Sequence, residues 1–560
     1  IRDNLQLQWR TTEHLRINGS IGLTKQINRD EAFTSAQSTR FDGITNAAEK
    51  GSYVISNGSN MDIEGNVRLD YSNLFFDHLS FSMGIGSELT TTKTQEDGYT
   101  ATGFVNDKLT YPSYAQQFQK NGKPSGYFDK GRTIGFFGNI NIGWDNRYIA
   151  DFSLRTDGSS RFGRDNQFAP FWSVGLAWNV NREKFWTGTG SMKIRASVGS
   201  VGSSKFSADQ ALTRFVYNSD GEYNGIYGAE LLQYGNTALK WQNTLKYNLG
   251  LDMTVWKNII TLNFDAYLER TENLLMDVDV APSTGFTSYK ENMGSLDNKG
   301  IEARLRLNLL RGDDKGWNWN VTLSASHERD KIRKLSNAMK AMNAEAMKIE
   351  NNTDSTSVFT MYEVGRSQKA LMLVKSLGID PATGNELYLK RDGSTTFDYD
   401  PNDRIEVGNT TPKIQGFINT NLSWNHIELY MAFNYEYGAK IYNSTLAQKV
   451  EGASPYQNAD KRVLYDRWKK PGDIAMFRRI DDQGPVYQSS RLVQKNNYIR
   501  MSSLSLTYDI PREKLARTFI ERCKFTFSMT DVFRISSIKQ ERGTSYPFAW
   551  TYSFGVNLTF

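Results

Sequence analysis

Trp550-Thr551-Tyr552-Ser553-Phe554-Gly555-Val556-Asn557-Leu558-Thr559-Phe560 is the stretch that decides the fold. Every second residue is large and apolar and those between are small or polar, so in an extended chain the two sets fall on opposite faces. The same period recurs upstream. Ile134, Phe136, Gly138, Ile140, Ile142 and Trp144 alternate with a set that includes Asn139, Asn141 and Gly143; after Asp145-Asn146-Arg147 the pattern runs back through Tyr148, Ala150, Phe152 and Leu154. Trp317, Trp319, Val321, Leu323 and Ala325 interleave with Asn318, Asn320, Thr322, Ser324 and Ser326 more cleanly still. Counting end to end gives about seventeen such segments, each able to supply the roughly 9–11 residues that cross a bilayer at a barrel's tilt.

Composition agrees with a wall rather than a core. The 560 residues are polar on average, with a mean hydropathy of −0.56, yet 13% are aromatic. A soluble multidomain chain gathers its apolar residues into cores, whereas here they are spread thinly over alternating segments. No run of about 18 consecutive apolar residues occurs, so a spanning chain must cross as a closed barrel, because lipid satisfies no open sheet edge. The net charge of +6 is scattered, and nucleic acid is not an expected partner. The single Cys523 excludes an intrachain disulfide and any cysteine-rich metal site. The start, Ile1-Arg2-Asp3-Asn4, lacks the apolar segment of a signal peptide, so the chain is expected to begin downstream of the gene's start.

Connections fall into two classes. Tight turns such as Phe76-Asp77-His78, Trp256-Lys257-Asn258 and Trp424-Asn425-His426 alternate with long polar stretches over 93–132, 201–240, 271–297, 331–411 and 439–496. Short periplasmic turns and long extracellular loops produce this rhythm, which a soluble sandwich or propeller does not. Single-chain bacterial barrels have an even strand number with both ends in the periplasm. Here the last strand descends from a long loop, and counting back makes the first, near Ile1–Arg10, descend as well. The expectation is therefore a transmembrane antiparallel β-barrel that 1–560 does not close alone, with Phe560's strand left unpaired or pairing with a segment upstream.

Little in the sequence carries bond-making chemistry. His14, His78, His327 and His426 stand singly at strand ends or turns, and no nucleophile elbow, Walker loop or zincin spacing is present, so no catalytic residue, metal ligand or cofactor is assigned. Asp398, Asp400, Asn402 and Asp403 begin like a calcium loop but lack the sixth-position glycine, and Asn409 stands where a bidentate glutamate is needed. Within 331–351, Ile332, Leu335, Met339, Met342, Ala346 and Ile349 recur at helical spacing, predicting a helix whose apolar stripe packs on the barrel mouth or on a second protein.

Two resemblances follow. The alternating Trp550, Tyr552, Phe554, Val556, Leu558 and C-terminal Phe560 look like the outer-membrane assembly signal recognised by the barrel-assembly machinery. The chain as a whole resembles the SusC/RagA-type TonB-dependent transporters. Carrying that resemblance, in order, are Asp145-Asn146-Arg147-Tyr148; Leu154-Arg155-Thr156-Asp157-Gly158-Ser159-Ser160-Arg161-Phe162-Gly163; Lys193 to Gly199; Asn298-Lys299-Gly300-Ile301-Glu302; Gly378-Ile379-Asp380-Pro381-Ala382-Thr383-Gly384; Arg467-Trp468 with Pro471-Gly472-Asp473; Tyr498-Ile499-Arg500-Met501; Leu506 to Pro511; and Phe554 to Phe560. It departs at Ser528-Met529-Thr530-Asp531-Val532-Phe533, where the family has Asn-Leu before its aromatic, and in the short loop Arg534 to Pro547, which lacks an Asp-Pro-Glu.

The resemblance implies an energised importer in the outer membrane of a Gram-negative bacterium. Its barrel has about 22 strands around a plug. It engages TonB through an N-terminal region and is lidded by a SusD-like surface lipoprotein. The expected chain is then the sixth to last strands, with the plug, the TonB segment and the first strands outside it. Outer-membrane lipid would surround the wall. The expected solute is an oligosaccharide, with an oligopeptide as alternative, and a scaffold role in a surface or assembly complex is the rival from another class. Flat aromatic faces with polar edges suit sugars, and Tyr223, Tyr227, Tyr234 and Trp241 are the loop candidates.

Overall fold

Tight turns set the register of the sheet. In the computed structural model, Asp145 and Asn146 hold φ of +51° and +54° between the directly paired Trp144 and Tyr148, and Phe76 and Asp77 hold +54° and +57° between Phe75 and Leu79. Asp and Asn tolerate this left-handed region better than other side chains, and turns built on it match the twist of the flanking strands. The structure describes all residues except 120–121, 164–165, 204–212, 225, 234, 237–238, 280–287, 313–315, 336–338, 341–342, 344–360, 455–458, 483 and 540–549.

Among the described residues the main sheet has 18 strands, one of which is the two-residue Gln117–Phe118, leaving the seventeen counted from the sequence. Pairing is antiparallel wherever it is described, with offsets at a few bulges. No helix among the described residues is long and apolar enough to cross a membrane. The sheet does not close: in the described pairings Arg2–Arg10 is bonded to Leu15–Thr34 alone, and Thr551–Thr559 to Arg522–Ser536 alone. Every residue of both edge strands is exposed.

The chain forms two units, Ile1–Gly175 with 199–243 and 275–292, and 176–198 with 244–274 and Met293–Phe560. In the first, Leu15–Thr34, Ser52–Phe75, Leu79–Thr102 and Ser125–Trp144 are 20 to 24 residues long, about twice a membrane crossing. Half of the expected loop 93–132 is thus strand. Thr90-Thr91-Thr92-Lys93-Thr94-Gln95-Glu96 pairs residue for residue with Tyr127 to Thr133 on one side and with Gly58 to Glu64 on the other. Beyond the lipid neither face must be apolar, so the alternation that marks a strand disappears while its hydrogen bonds continue. The outer face there is covered where Phe104 packs with Tyr53 and Ile55 against Phe33, Tyr99 and Ala115.

The same correction applies to 271–297, where Ile260–Asp279 and Ser288–Arg311 take up most of the stretch. Trp317 and Trp424 sit opposite one another beside their turns and stack at 5.2 Å, as rim aromatics of a membrane wall do. The expected helix over 331–351 is only partly found: Ile332 lies in the strand Trp317–Lys334, Met339, Lys340 and Asn343 are helical, and 336–338, 341–342 and 344–351 lie outside the described residues. Ile332 pairs with Leu296, so the ladder takes it before helical spacing can. Above the wall, four short strands, Ala370–Ile379, Glu386–Leu389, Thr395–Thr396 and Arg404–Asn409, form a separate sheet. They cover a true core in which Leu373, Val374, Val450 and Leu492 are fully buried.

Candidate functional site

Polar positions of the alternating strands build the inner wall as rows of paired charges. In the first unit Arg155 bonds Asp157 at 2.6 Å and reaches Glu88 at 3.1 Å, and Asn18 donates to Asp70 at 2.8 Å. In the second, Arg195 bridges Asp252 at 3.1 Å and Asp265 at 2.8 Å while Asn263 and Asn248 donate to the same two carboxylates. Period-2 alternation puts these residues on one face, and cross-strand register puts opposite charges within reach.

One part of this wall is a recess of 730 Å³, entirely in the second unit, lined by Arg195, Glu302, Arg304, Gln415, Phe417 and Tyr498 among others. Tyr498 donates to Glu436 at 2.7 Å, and the Arg534 guanidinium lies 3.9 Å over its ring. The side chains of Arg304 and Glu302 make no hydrogen bond or ion pair among the described residues. The recess therefore offers three rings, neutral amides and hydroxyls from Asn263, Ser324, Gln415 and Asn434 among others, and, besides the paired Arg195 and Asp265, the charges of Arg304, Glu302 and Glu436. Sequence reasoning missed it, although Phe417 breaks the polar register Gln415, Asn419, Asn421 of its strand and so was a visible signal.

The two longest loops meet above the wall. Pro381's carbonyl accepts from the Trp468 indole at 2.9 Å and from the Gly472 amide at 2.8 Å. Gly384 is held at φ +75°, and a Cβ there would lie 2.6 Å from the Trp468 ring, so only glycine fits. Asp380 accepts from Thr383, which with neighbouring amides draws its carboxyl below the usual range, and Asp473 accepts from the Lys469 and Lys470 amides. The motifs 378–384 and 467–473, far apart in sequence, are thus two halves of one joint.

Beneath that joint lies a buried charge cluster. Arg491 bonds Glu386 at 2.9 Å and Glu451 at 2.6 Å, with the three side chains at 5%, 3% and 0% exposure. Arg478 joins Glu451 at 2.8 Å and Asp482 at 2.9 Å. Burial by itself pushes the Glu386 carboxyl up, but the Arg491 charge and the hydroxyls of Ser489 and Ser376 outweigh it, and the net shift is down. Burial and the neighbouring Glu386 charge push Tyr388 up. Arg467 donates to four backbone carbonyls, those of Val450, Glu451, Val463 and Arg478, which pins the short π-helix Leu446–Glu451.

Of the expected aromatic loop residues, the structure describes the backbone of two and the packing of a third. Tyr223 and Tyr227 lie on a two-stranded hairpin, Arg214–Tyr223 with Ile226–Gln233, and Tyr234 falls outside the described residues. Trp241 stacks on Phe162 at 4.3 Å, meets Phe171 edge-on and donates to the Gln167 carbonyl, so its ring is engaged in packing over the fully buried Leu239. Trp550 is exposed beside its strand, and Tyr552, Phe554, Val556 and Leu558 keep the alternation through it; Phe560 stacks on Phe519 at 5.6 Å. His78 contacts Asp145 at 2.5 Å, and His14 and His327 contact backbone carbonyls. In the acidic run, Asp400 caps residues 401–403 and Asp403 accepts from the Arg391 amide.

A wall of alternating lipid-facing and charge-paired strands on tight left-handed turns defines a transmembrane β-barrel of the outer-membrane kind. Residues 2–423 match the family model described as TonB dependent receptor-like, beta-barrel, and the chain belongs to that family. It is 26% identical over 513 residues to TonB-dependent receptor P3 of Formosa agariphila, covering 84% of this chain and 50% of that protein. It is 30% identical over 236 residues to TonB-dependent receptor SusC of Bacteroides thetaiotaomicron, covering 40% of this chain and 23% of SusC. The solved RagAB peptide transporter superposes over 100% of this chain and 61% of its own, with a TM-score of 0.85 at 22% identity, which is a likeness of fold. The chain spans about half the length of most of the curated relatives it matches.

Proposed function

We propose that this chain is the larger part of the barrel of a TonB-dependent outer-membrane importer of oligosaccharides that works beneath a SusD-like surface lipoprotein. The observation that carries the proposal is the 730 Å³ wall recess, where the Phe417 and Tyr498 rings stand among neutral amides and hydroxyls. Rings offer flat apolar faces to sugars, and amides and hydroxyls both donate and accept, as a polyol requires. The paired charges around the recess keep the rest of the wall wet without strongly attracting ions of either sign.

A second solute class is favoured by a separate observation. The unpaired Arg304 and Glu302 in the same recess complement the two termini, or the opposite side-chain charges, of an oligopeptide. Calorimetry on the full-length protein with panels of oligosaccharides and oligopeptides tests both. Saccharide binding that weakens in Asn263→Ala and Gln415→Ala but not in Arg304→Gln supports the first. Peptide binding lost in Arg304→Gln and Glu302→Gln replaces it with the second. Dependence on energisation is read from uptake of the bound solute by cells with and without TonB, and the lid from a lipoprotein that co-purifies stoichiometrically; uptake unchanged without TonB would reduce the barrel to a scaffold or passive pore.

A further inference from the structure

The membrane face of the first unit has a hollow of 370 Å³ whose lining is almost wholly hydrocarbon. It is centred on Gly138, which lies directly opposite Ile85 on one side and Leu154 on the other. The next rung toward the turn, Met83, Ile140 and Phe152, forms one wall, and Trp172 forms another. Alternation from Trp144 back to Ile134 places Gly138 among lipid-facing residues, and Ile85, Leu154, Phe152 and Trp172 are all substantially exposed.

Glycine is not forced on this position by the backbone. Its φ is not positive, and a Cβ would first meet the Ile85 Cγ2 at 3.5 Å, an ordinary contact. Gly in a strand interior gives up packing and chain entropy, so here it leaves a gap between flanking side chains that a neighbouring molecule can fill. Six residues separate Gly138 from Trp144 at the turn. At about 3.3 Å per residue and a tilt of roughly 40°, the hollow lies about 15 Å from the short-turn rim, inside an apolar band about 25 Å tall. Water has no polar partner there, and the hollow is continuous with the lipid-facing surface on all sides.

We propose that this hollow is a seat for one phospholipid acyl chain, held between Ile85 and Leu154 with Trp172 as its lateral wall. Van der Waals contact on several sides, in place of the single side a flat wall offers, makes that chain slower to exchange than the lipid around it. The test uses the full-length protein in nanodiscs of phosphatidylethanolamine, released and weighed by native mass spectrometry. Wild type is expected to retain one more phosphatidylethanolamine per barrel than Gly138→Leu, which fills the hollow, and than Trp172→Ala, which removes its wall. Gly65→Leu, on the same lipid-facing register with nothing within 4 Å of its Cβ position, is expected to keep the wild-type number. Equal lipid counts in wild type, Gly138→Leu and Trp172→Ala would overturn the proposal. So would a wild-type dimer that Gly138→Leu converts to monomer at unchanged lipid count, because a second barrel would then be the occupant.

Discussion

Arg491 bridges two buried glutamates, Glu386 and Glu451, and is the only cation paired with Glu386 among the described residues. Removing it strands Glu386 at near-zero exposure and leaves the buried Glu451 with Arg478 alone. Arg491→Ala is therefore expected to destabilise the loop assembly by about 3–5 kcal/mol, with the barrel wall unaffected, as read by limited proteolysis at 361–413 and 439–492. The same cluster sets a pH dependence. The Glu386 carboxyl is held below its ordinary value of 4.5, so its contribution is complete above that value and is lost as pH falls through the lower folded value. Hydrogen-exchange protection factors at 386–389 and 489–492 should drop below pH 4.5 while those of the wall strands persist; parallel loss in both would refute a local effect. None of this was legible in the sequence, because the partners at 386, 451, 478 and 491 are joined only by tertiary folding.

Asp531 shows the opposite case, a residue noticed in the sequence for the wrong reason. It stands where the family has asparagine, and the structure gives it φ +56° at a bulge, opposite the register shift between Met501 and Ser503. Asp and Asn are the side chains that tolerate this conformation, so the departure keeps the backbone and changes the charge. The charge is used: Asp531 pairs with Arg500 of the Tyr498-Ile499-Arg500-Met501 motif. Asp531→Asn is expected to cost little in thermal stability, and Asp531→Val more, since a β-branched residue resists positive φ; equal melting temperatures for the two variants would remove the bulge from the explanation.

At the scale of the element, lipid decides what sequence can reveal. Strand segments inside the membrane announced themselves through Trp317, Val321 and Leu323 against Asn318, Thr322 and Ser324, because one face must be apolar. Past the rim that demand ends, and Lys93 to Glu96 reads as loop although it is doubly paired ladder. Amides of Lys93–Glu96 should accordingly exchange as slowly as those of Phe81–Ile85, and fast exchange there would restore the loop. Tight turns were legible because their chemistry is local: Asp145-Asn146 and Phe76-Asp77 both take left-handed φ. The predicted helix failed at Ile332 because pairing with Leu296 outcompetes three- and four-residue spacing at a strand end.

For the whole molecule, the strand count of seventeen and its odd parity came from rhythm alone, and the open sheet follows from them. What rhythm could not supply was the assembly of two loops into a cored body, since the joint between Pro381, Gly384, Trp468 and Gly472 spans residues with no common period. Arg2–Arg10 and Thr551–Thr559 each present one unpaired backbone edge, the kind of template on which strands add. The 560-residue chain expressed by itself is expected to self-associate in detergent, and sedimentation showing a stable monomer would count against open edges. The long strands of the first unit carry one more consequence. At about 3.3 Å per residue and a tilt of roughly 40°, the 24 residues of Ser52–Phe75 rise about 60 Å from their turn, some 35 Å more than an apolar band of about 25 Å. The exposed hairpin tip around Gly43 thus stands clear of the headgroups, and an epitope inserted there should be reached by antibody on intact cells, where one placed at Asn146 should stay hidden until the envelope is breached.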